Sequence, residues 1–194
     1  MVLNKLLEAY KDLRMAKMNL THKQKGTALG MLIGFASALA VIILGVRFNP
    51  FDFNTSVEII ERLRVATASM VLVCVFLMFS IGRLARHRFF TPDDIDGAGL
   101  TEGSVKAKLL QALLQNTLEQ TMLAIVAYYS WALLMPGAWL SVIPLAALSF
   151  AIGRILFFLG YSSGASSRAT GFALTFYPSA LMLLCVIYRV ATTL

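Results

Sequence analysis

Apolar residues run along this chain in blocks, and five of the blocks reach the length that a bilayer asks of a helix, about 20 residues. They are Thr27 to Val46, Val65 to Leu84, Val105 to Met135, Leu140 to Gly160 and Ala169 to Ala191. None of the five shows the strict apolar-polar alternation, in segments of roughly ten residues, that a membrane β-barrel requires. The pattern therefore predicts an all-α integral membrane bundle. The third block opens on the polar stretch QALLQNTLEQ, so its first turns are expected to extend out of the lipid core. Ser104, just ahead of Val105, is a natural N-cap for it. The two longest connections are Arg47 to Arg64 and Ala85 to Ser104, and the second contains the breaker-rich run TPDDIDGAGLTEGS.

Ahead of the first block, Leu3, Leu6, Leu7, Tyr10 and Leu13 recur at helical spacing, with Lys5, Glu8, Lys11, Asp12 and Arg14 on much of the remaining surface. Residues 1–25 are thus expected to form an amphipathic helix, either lying in the membrane interface or serving as a solvated cap on the first span. Within that span Gly26, Gly30, Gly34 and Ala38 recur every four residues, a ridge over which another helix can approach closely. Its occupant is another helix of the bundle, a separate membrane-protein partner reached through residues 1–46, or a second copy of the same chain.

Composition agrees with the pattern, because 58% of the 194 residues are hydrophobic and only 14% charged, which leaves no soluble domain once the spans are subtracted. The net charge of +7 would suit a nucleic acid, but its placement has a simpler reading. Lys5, Lys11, Arg14, Lys17, Lys23 and Lys25 precede the first span, and Arg83, Arg86, Arg88, Lys106 and Lys108 flank the loop between the second and third. By the positive-inside rule both segments face the cytoplasm. The expected protein is multi-pass with a cytoplasmic N-terminus, in the inner membrane if its source is bacterial, with the lipid bilayer and no nucleic acid as its partner. The first span, a full 20 residues beginning only at Thr27, is expected to be a retained anchor, not a cleaved leader. No metal is expected: DDIDG lacks the carboxylates of a calcium loop, and His22 and His87 lack ligand spacing.

One feature of the third block calls for a function. Glu119 lies about 22 Å along a helix that starts at Ser104, and an ionisable group within a span costs about 2.5–3.5 kcal/mol unless it meets a partner or a cavity. Gln111, Gln115 and Glu119 share a face, with Asn116 and Gln120 beside them. In the stretch FAIGRILFFLGYSSGASSR, Arg154 is the single basic residue inside the fourth block; Tyr161 follows two turns on and Arg168 after a small-residue turn. Two arrangements satisfy these groups. Asn116, Glu119, Arg154, Tyr161 and Arg168 line one cytoplasm-facing polar pocket, or Glu119 and Arg154 neutralise each other as an interhelical pair.

NTLE, then GRILFFLGY, then Arg168 with GFALTFYP, together resemble the MAPEG family, membrane-associated proteins in eicosanoid and glutathione metabolism, in its bacterial-type members. The resemblance covers residues 65–194. It implies a four-helix subunit, to which the helix over 27–46 is an addition, a homotrimer, and glutathione held as co-substrate between subunits near the cytoplasmic side. By that resemblance Asn116 and Glu119 contact glutathione, Arg154 and Tyr161 bind its carboxylate end and line its site, and Arg168 is the catalytic residue that stabilises the thiolate. The chemistry is coherent, since a guanidinium lowers a thiol pKa and the thiolate is the nucleophile. The implied function is a glutathione-dependent transferase or peroxidase acting on a lipophilic small molecule, an electrophile that arrives through the bilayer.

The chain also departs from the family. Ala112 stands where relatives often carry an arginine, Phe157 lacks an aromatic hydroxyl, and Ala169 replaces a serine found in prostaglandin E synthase. One charged contact and two hydroxyls are missing, with Lys108, Arg83, Arg86 or Arg88 as candidate substitutes for the charge. These losses, with the added helices, favour the alternative of a non-catalytic membrane scaffold or lipid-binding subunit of a larger complex that retains the fold.

Overall fold

The computed structural model describes residues 20–97 and 100–193, so most of the amphipathic segment expected over 1–25 lies outside the described residues. Five long helices account for the rest: α1, His22–Ile43; α2, Ile59–Phe89; α3, Val105–Leu134; α4, Val142–Gly160; and α5, Ala165–Thr193. All five expected spans are present, most of them extended by a few residues at one or both ends. α1, α2, α4 with its flanking turns, and α5 are each long and apolar enough to cross a membrane. α3 has the length, 30 residues, but Gln111, Gln115, Asn116, Glu119 and Gln120 make its first half too polar for that class.

Sequence chemistry explains the ends of these helices. Thr21 and Gln24 form a reciprocal capping box that starts α1. The Ser104 hydroxyl accepts from the Ala107 N–H at 3.2 Å, as its position predicts for the start of α3. Asp94, fully buried in the connection, accepts from the Ser104 N–H at 2.7 Å, the Ser104 hydroxyl at 2.6 Å and His87 Nε2 at 2.9 Å. The run DDIDG is therefore a fastener that ties the end of α2 to the start of α3. The Ser104 hydroxyl and then its N–H hold the Asp94 carboxyl below the usual carboxylate range, with His87 adding to them, against the opposing pull of burial. A depressed carboxylate of this kind contributes fully above about pH 4 and loses its contribution as pH falls through the lowered value.

α5 is the hub of the bundle, packing against α1, α4 and α3, while α2 packs on α3 and α4. The small-residue ridge of α1 is what docks it on α5: Gly30, Gly34 and Ala38 are all buried. A Cβ at Gly30 would sit 2.7 Å from the Thr170 backbone nitrogen and 2.8 Å from the Ala169 Cβ. Gly26 meets Ser166 and Gly34 meets Ala173, so the two helices run parallel and their N-termini share one end of the molecule. Of the occupants open to this ridge, the one observed is a helix of the same chain. At the opposite end Arg62 donates to the Ala132 and Met135 carbonyls at 3.1 and 2.9 Å, closing the C-terminus of α3. The largest core cluster, with Tyr128, Trp131, Ile143, Phe150 and Met182, fills that half.

Candidate functional site

The other half of the bundle holds a smaller apolar cluster, Leu84, Leu110, Leu113 and Phe157, and a buried polar centre, Arg154. This guanidinium on α4 is wholly buried. It is fixed by neutral acceptors: Nη1 donates to Asn116 Oδ1 at 3.0 Å and to Thr117 Oγ1 at 3.5 Å, and Nη2 donates to Thr175 Oγ1 at 2.7 Å. Each threonine in turn donates its hydroxyl proton to its own helix, Thr117 to the Leu113 carbonyl and Thr175 to the Phe172 carbonyl. Their lone pairs are left to the arginine. The Phe157 ring lies 4.5 Å from the guanidinium carbon and the Phe150 ring 5.6 Å, adding cation–π attraction. Close packing makes the arrangement possible, because a Cβ at Gly171 would strike the Phe157 backbone nitrogen and lie 2.7 Å from the Gly153 carbonyl. Backbone contact between α4 and α5 there brings Thr175 within reach of Arg154.

Arginine has donors only, so the Asn116 atom that faces it must be the carbonyl oxygen. The Asn116 amide NH2 is thereby left as a donor for the cavity that Asn116 lines. That cavity holds about 490 Å³ and is walled by Asn116, Phe157, Tyr161, Arg168, Phe172 and Phe176, with Thr27 and Met31 of α1 on its flank. The Arg168 guanidinium stands 4.5 Å over the Tyr161 ring. No carboxylate among the described residues pairs with it. The lining thus combines a cation with no carboxylate partner among the described residues, two hydrogen-bonding groups and three phenylalanine rings.

Of the five residues singled out in the sequence, Asn116, Tyr161 and Arg168 share this cavity. Arg154 stands behind it, reaching it only through Asn116 and Phe157. Glu119 lies elsewhere: it is exposed on the outer face of α3, where Gln115 Nε2 donates to it at 2.9 Å. The pairing of Glu119 with Arg154 does not form, because Arg154 is turned inward between α3 and α5 and its acceptors are hydroxyls and an amide. Thr117, Thr175 and the two α1 residues were not evident from the sequence. A buried arginine with no acid at helical spacing is a signal that hydroxyls must serve it, and Thr175 stands within the very stretch GFALTFYP.

A second cavity of about 470 Å³ lies nearer the N-terminus of α3, lined by Arg88, Lys108, Gln111, Ala112 and Gln115 among others. Arg88 Nη2 donates to Gln111 Oε1 at 3.2 Å. Two of the cations proposed as substitutes for the missing arginine therefore do stand around Ala112. The sequence model of the MAPEG family matches residues 63–188, from α2 into α5. No curated protein and no solved structure matches the chain. α1 lies outside the family match.

Proposed function

This chain belongs to the MAPEG family, and from that premise we propose a membrane-bound glutathione-dependent transferase or peroxidase acting on a lipophilic electrophile, working as a homotrimer. The observation that carries the reading is the composition of the 490 Å³ cavity, whose lining includes the polar groups of Arg168, Tyr161 and Asn116 and the rings of Phe157, Phe172 and Phe176. A thiol peptide suits the first and a lipid-soluble acceptor the second. Arg168, without a carboxylate partner among the described residues, supplies the positive field that favours a thiolate over a thiol. Asn116, fixed by Arg154, offers a neutral donor to a carboxylate or peptide carbonyl. In the transferase reaction the thiol proton leaves to water, the sulfur lone pair forms the new S–C bond, and the displaced pair departs with the leaving group. The clustering of Lys23, Lys25, Arg83, Arg86, Arg88, Lys106 and Lys108 at this end supports a cytoplasmic placement for it.

Titration calorimetry of the full chain in lipid nanodiscs tests the reading. Glutathione binds, and the bound thiol shows thiolate absorbance near neutral pH. Arg168→Ala keeps binding while its thiol pKa returns toward the free value of about 8.5. Unchanged thiolate in that variant would remove Arg168 from the mechanism. A wild-type protein that does not bind glutathione at all would favour the scaffold reading, which the burial of Arg154 and the outward position of Glu119 also support.

A further inference from the structure

A third cavity, of about 460 Å³, opens where the last turns of α2 meet the first turn of α3, and it is lined by Arg83, Arg86, His87, Phe90, Lys106 and Leu110, with Thr91 at its edge. We propose that this cavity is a binding site for the phosphodiester headgroup of an anionic phospholipid, with an acyl chain lying along the apolar groove below it.

Charge points to the ligand class. Arg83, Arg86 and Lys106 make no ion pair among the described residues. No carboxylate is among its lining residues, and Asp94, which holds the lining residue His87, is already engaged by Ser104 as well. Helix polarity accounts for part of this charge only. Arg86 sits in the last turn of α2, where the helix field welcomes a cation. Lys106 sits in the first turn of α3, where the field opposes one, and no acid in that turn offsets it. Three cations and the positive end of a helix therefore converge on one concave space. Basic pockets between membrane helices at the water boundary have the character that anionic headgroups recognise.

The surroundings point to a lipid as the source of that phosphate. Leu110 is buried at the floor and Phe90 is exposed at the rim. One turn toward the membrane from Arg83, its guanidinium carbon stands 5.6 Å from the ring of Phe79, which is exposed. Phe79 in turn lies 6.2 Å from the ring of Phe158 on α4. A soluble phosphate would find no use for this apolar track, whereas an acyl chain would follow it. The stem of Arg83 spans the boundary between the two, as a snorkelling side chain does.

The test uses the delipidated full chain in a neutral maltoside detergent, with its thermal midpoint followed during titration. Phosphatidylglycerol is expected to raise the midpoint saturably, while phosphatidylcholine and inorganic phosphate leave it in place. Arg83→Gln with Lys106→Gln should raise the phosphatidylglycerol concentration for half effect about 10- to 30-fold. Lys23→Gln with Lys25→Gln, which removes equal charge at the same end but outside the cavity, should titrate like the parent. Lys106→Gln alone, a milder change, should still shift the curve about fivefold. The proposal is overturned if phosphatidylcholine acts equally, if the cavity variants titrate like the parent, or if the Lys23 and Lys25 variant loses as much. It is also overturned if inorganic phosphate alone reproduces the effect, since the site would then take a soluble anion.

Discussion

Arg154 shows how a charge is accommodated in this bundle without a counter-charge among the described residues. Its interactions are hydrogen bonds to Asn116, Thr117 and Thr175 and two aromatic faces. Removing the charge and removing an acceptor therefore have opposite consequences. Arg154→Met eliminates the buried cation and fills its volume, so the thermal midpoint should hold or rise, as with other buried ions replaced by apolar groups. Thr175→Val keeps the cation and deletes its shortest hydrogen bond, which should cost roughly 1.5–3 kcal/mol. Thermal melts in one detergent check the order: if Arg154→Met is the more damaging change, Arg154 belongs to the stability of the fold. Glutathione binding should fall in Arg154→Met, which releases Asn116, and hold better in Thr175→Val, which leaves the Nη1 bond to Asn116 in place. The sequence identifies Arg154 at once as an ionisable residue within a span. It cannot reveal that the partner is a hydroxyl, because threonines are ordinary residues inside helices, whereas a lone glutamate draws attention wherever it stands.

At the scale of the helices, the fold was legible because each span has the apolar length that a bilayer imposes, and because Ser104, the small-residue turn SSGASS and the glycine ridge mark ends and contacts. Which helix receives the ridge of α1 was not legible, since any smooth helix fits a smooth helix, and the answer, α5, lies about 140 residues along the chain. That docking matters for the site: it places Thr27 and Met31 on the cavity flank. The added helix is thus a wall of the space that the family match alone would leave incomplete. Gly30→Leu forces a side chain into the Thr170 backbone, where no small adjustment relieves it. The expected loss is about 1–3 kcal/mol of stability from overpacking, together with a wider tolerance for bulky electrophiles as α1 is displaced. Ala40→Leu serves as the control on the same helix, because Ala40 is exposed to the surroundings of the bundle. If Gly30→Leu leaves both the melt and the substrate range unchanged, α1 is not a wall of the working site.

For the molecule as a whole, Glu119 is the residue left unexplained by one chain. It is exposed on α3, where among the described residues its hydrogen-bond partner is Gln115, and α3 is the one long helix among those residues that falls short of membrane-spanning hydropathy. Left facing lipid, such a group costs about 2.5–3.5 kcal/mol on insertion scales. Leu118, Met122 and Val126, near it along the helix, are exposed as well. A polar stripe next to an apolar one on a single exposed face is what a symmetric interface between α3 helices would cover, so the proposed trimer is expected to bury it. Native mass spectrometry from nanodiscs should then give a mass three times 21.3 kDa. Glu119→Ala should lower the fraction of trimer, while Glu119→Gln, which keeps a hydrogen-bonding group, should retain most of it. A protein that is monomeric at every concentration, with Glu119→Ala no different from the parent, would leave that carboxylate to some other partner and the trimer without its interface.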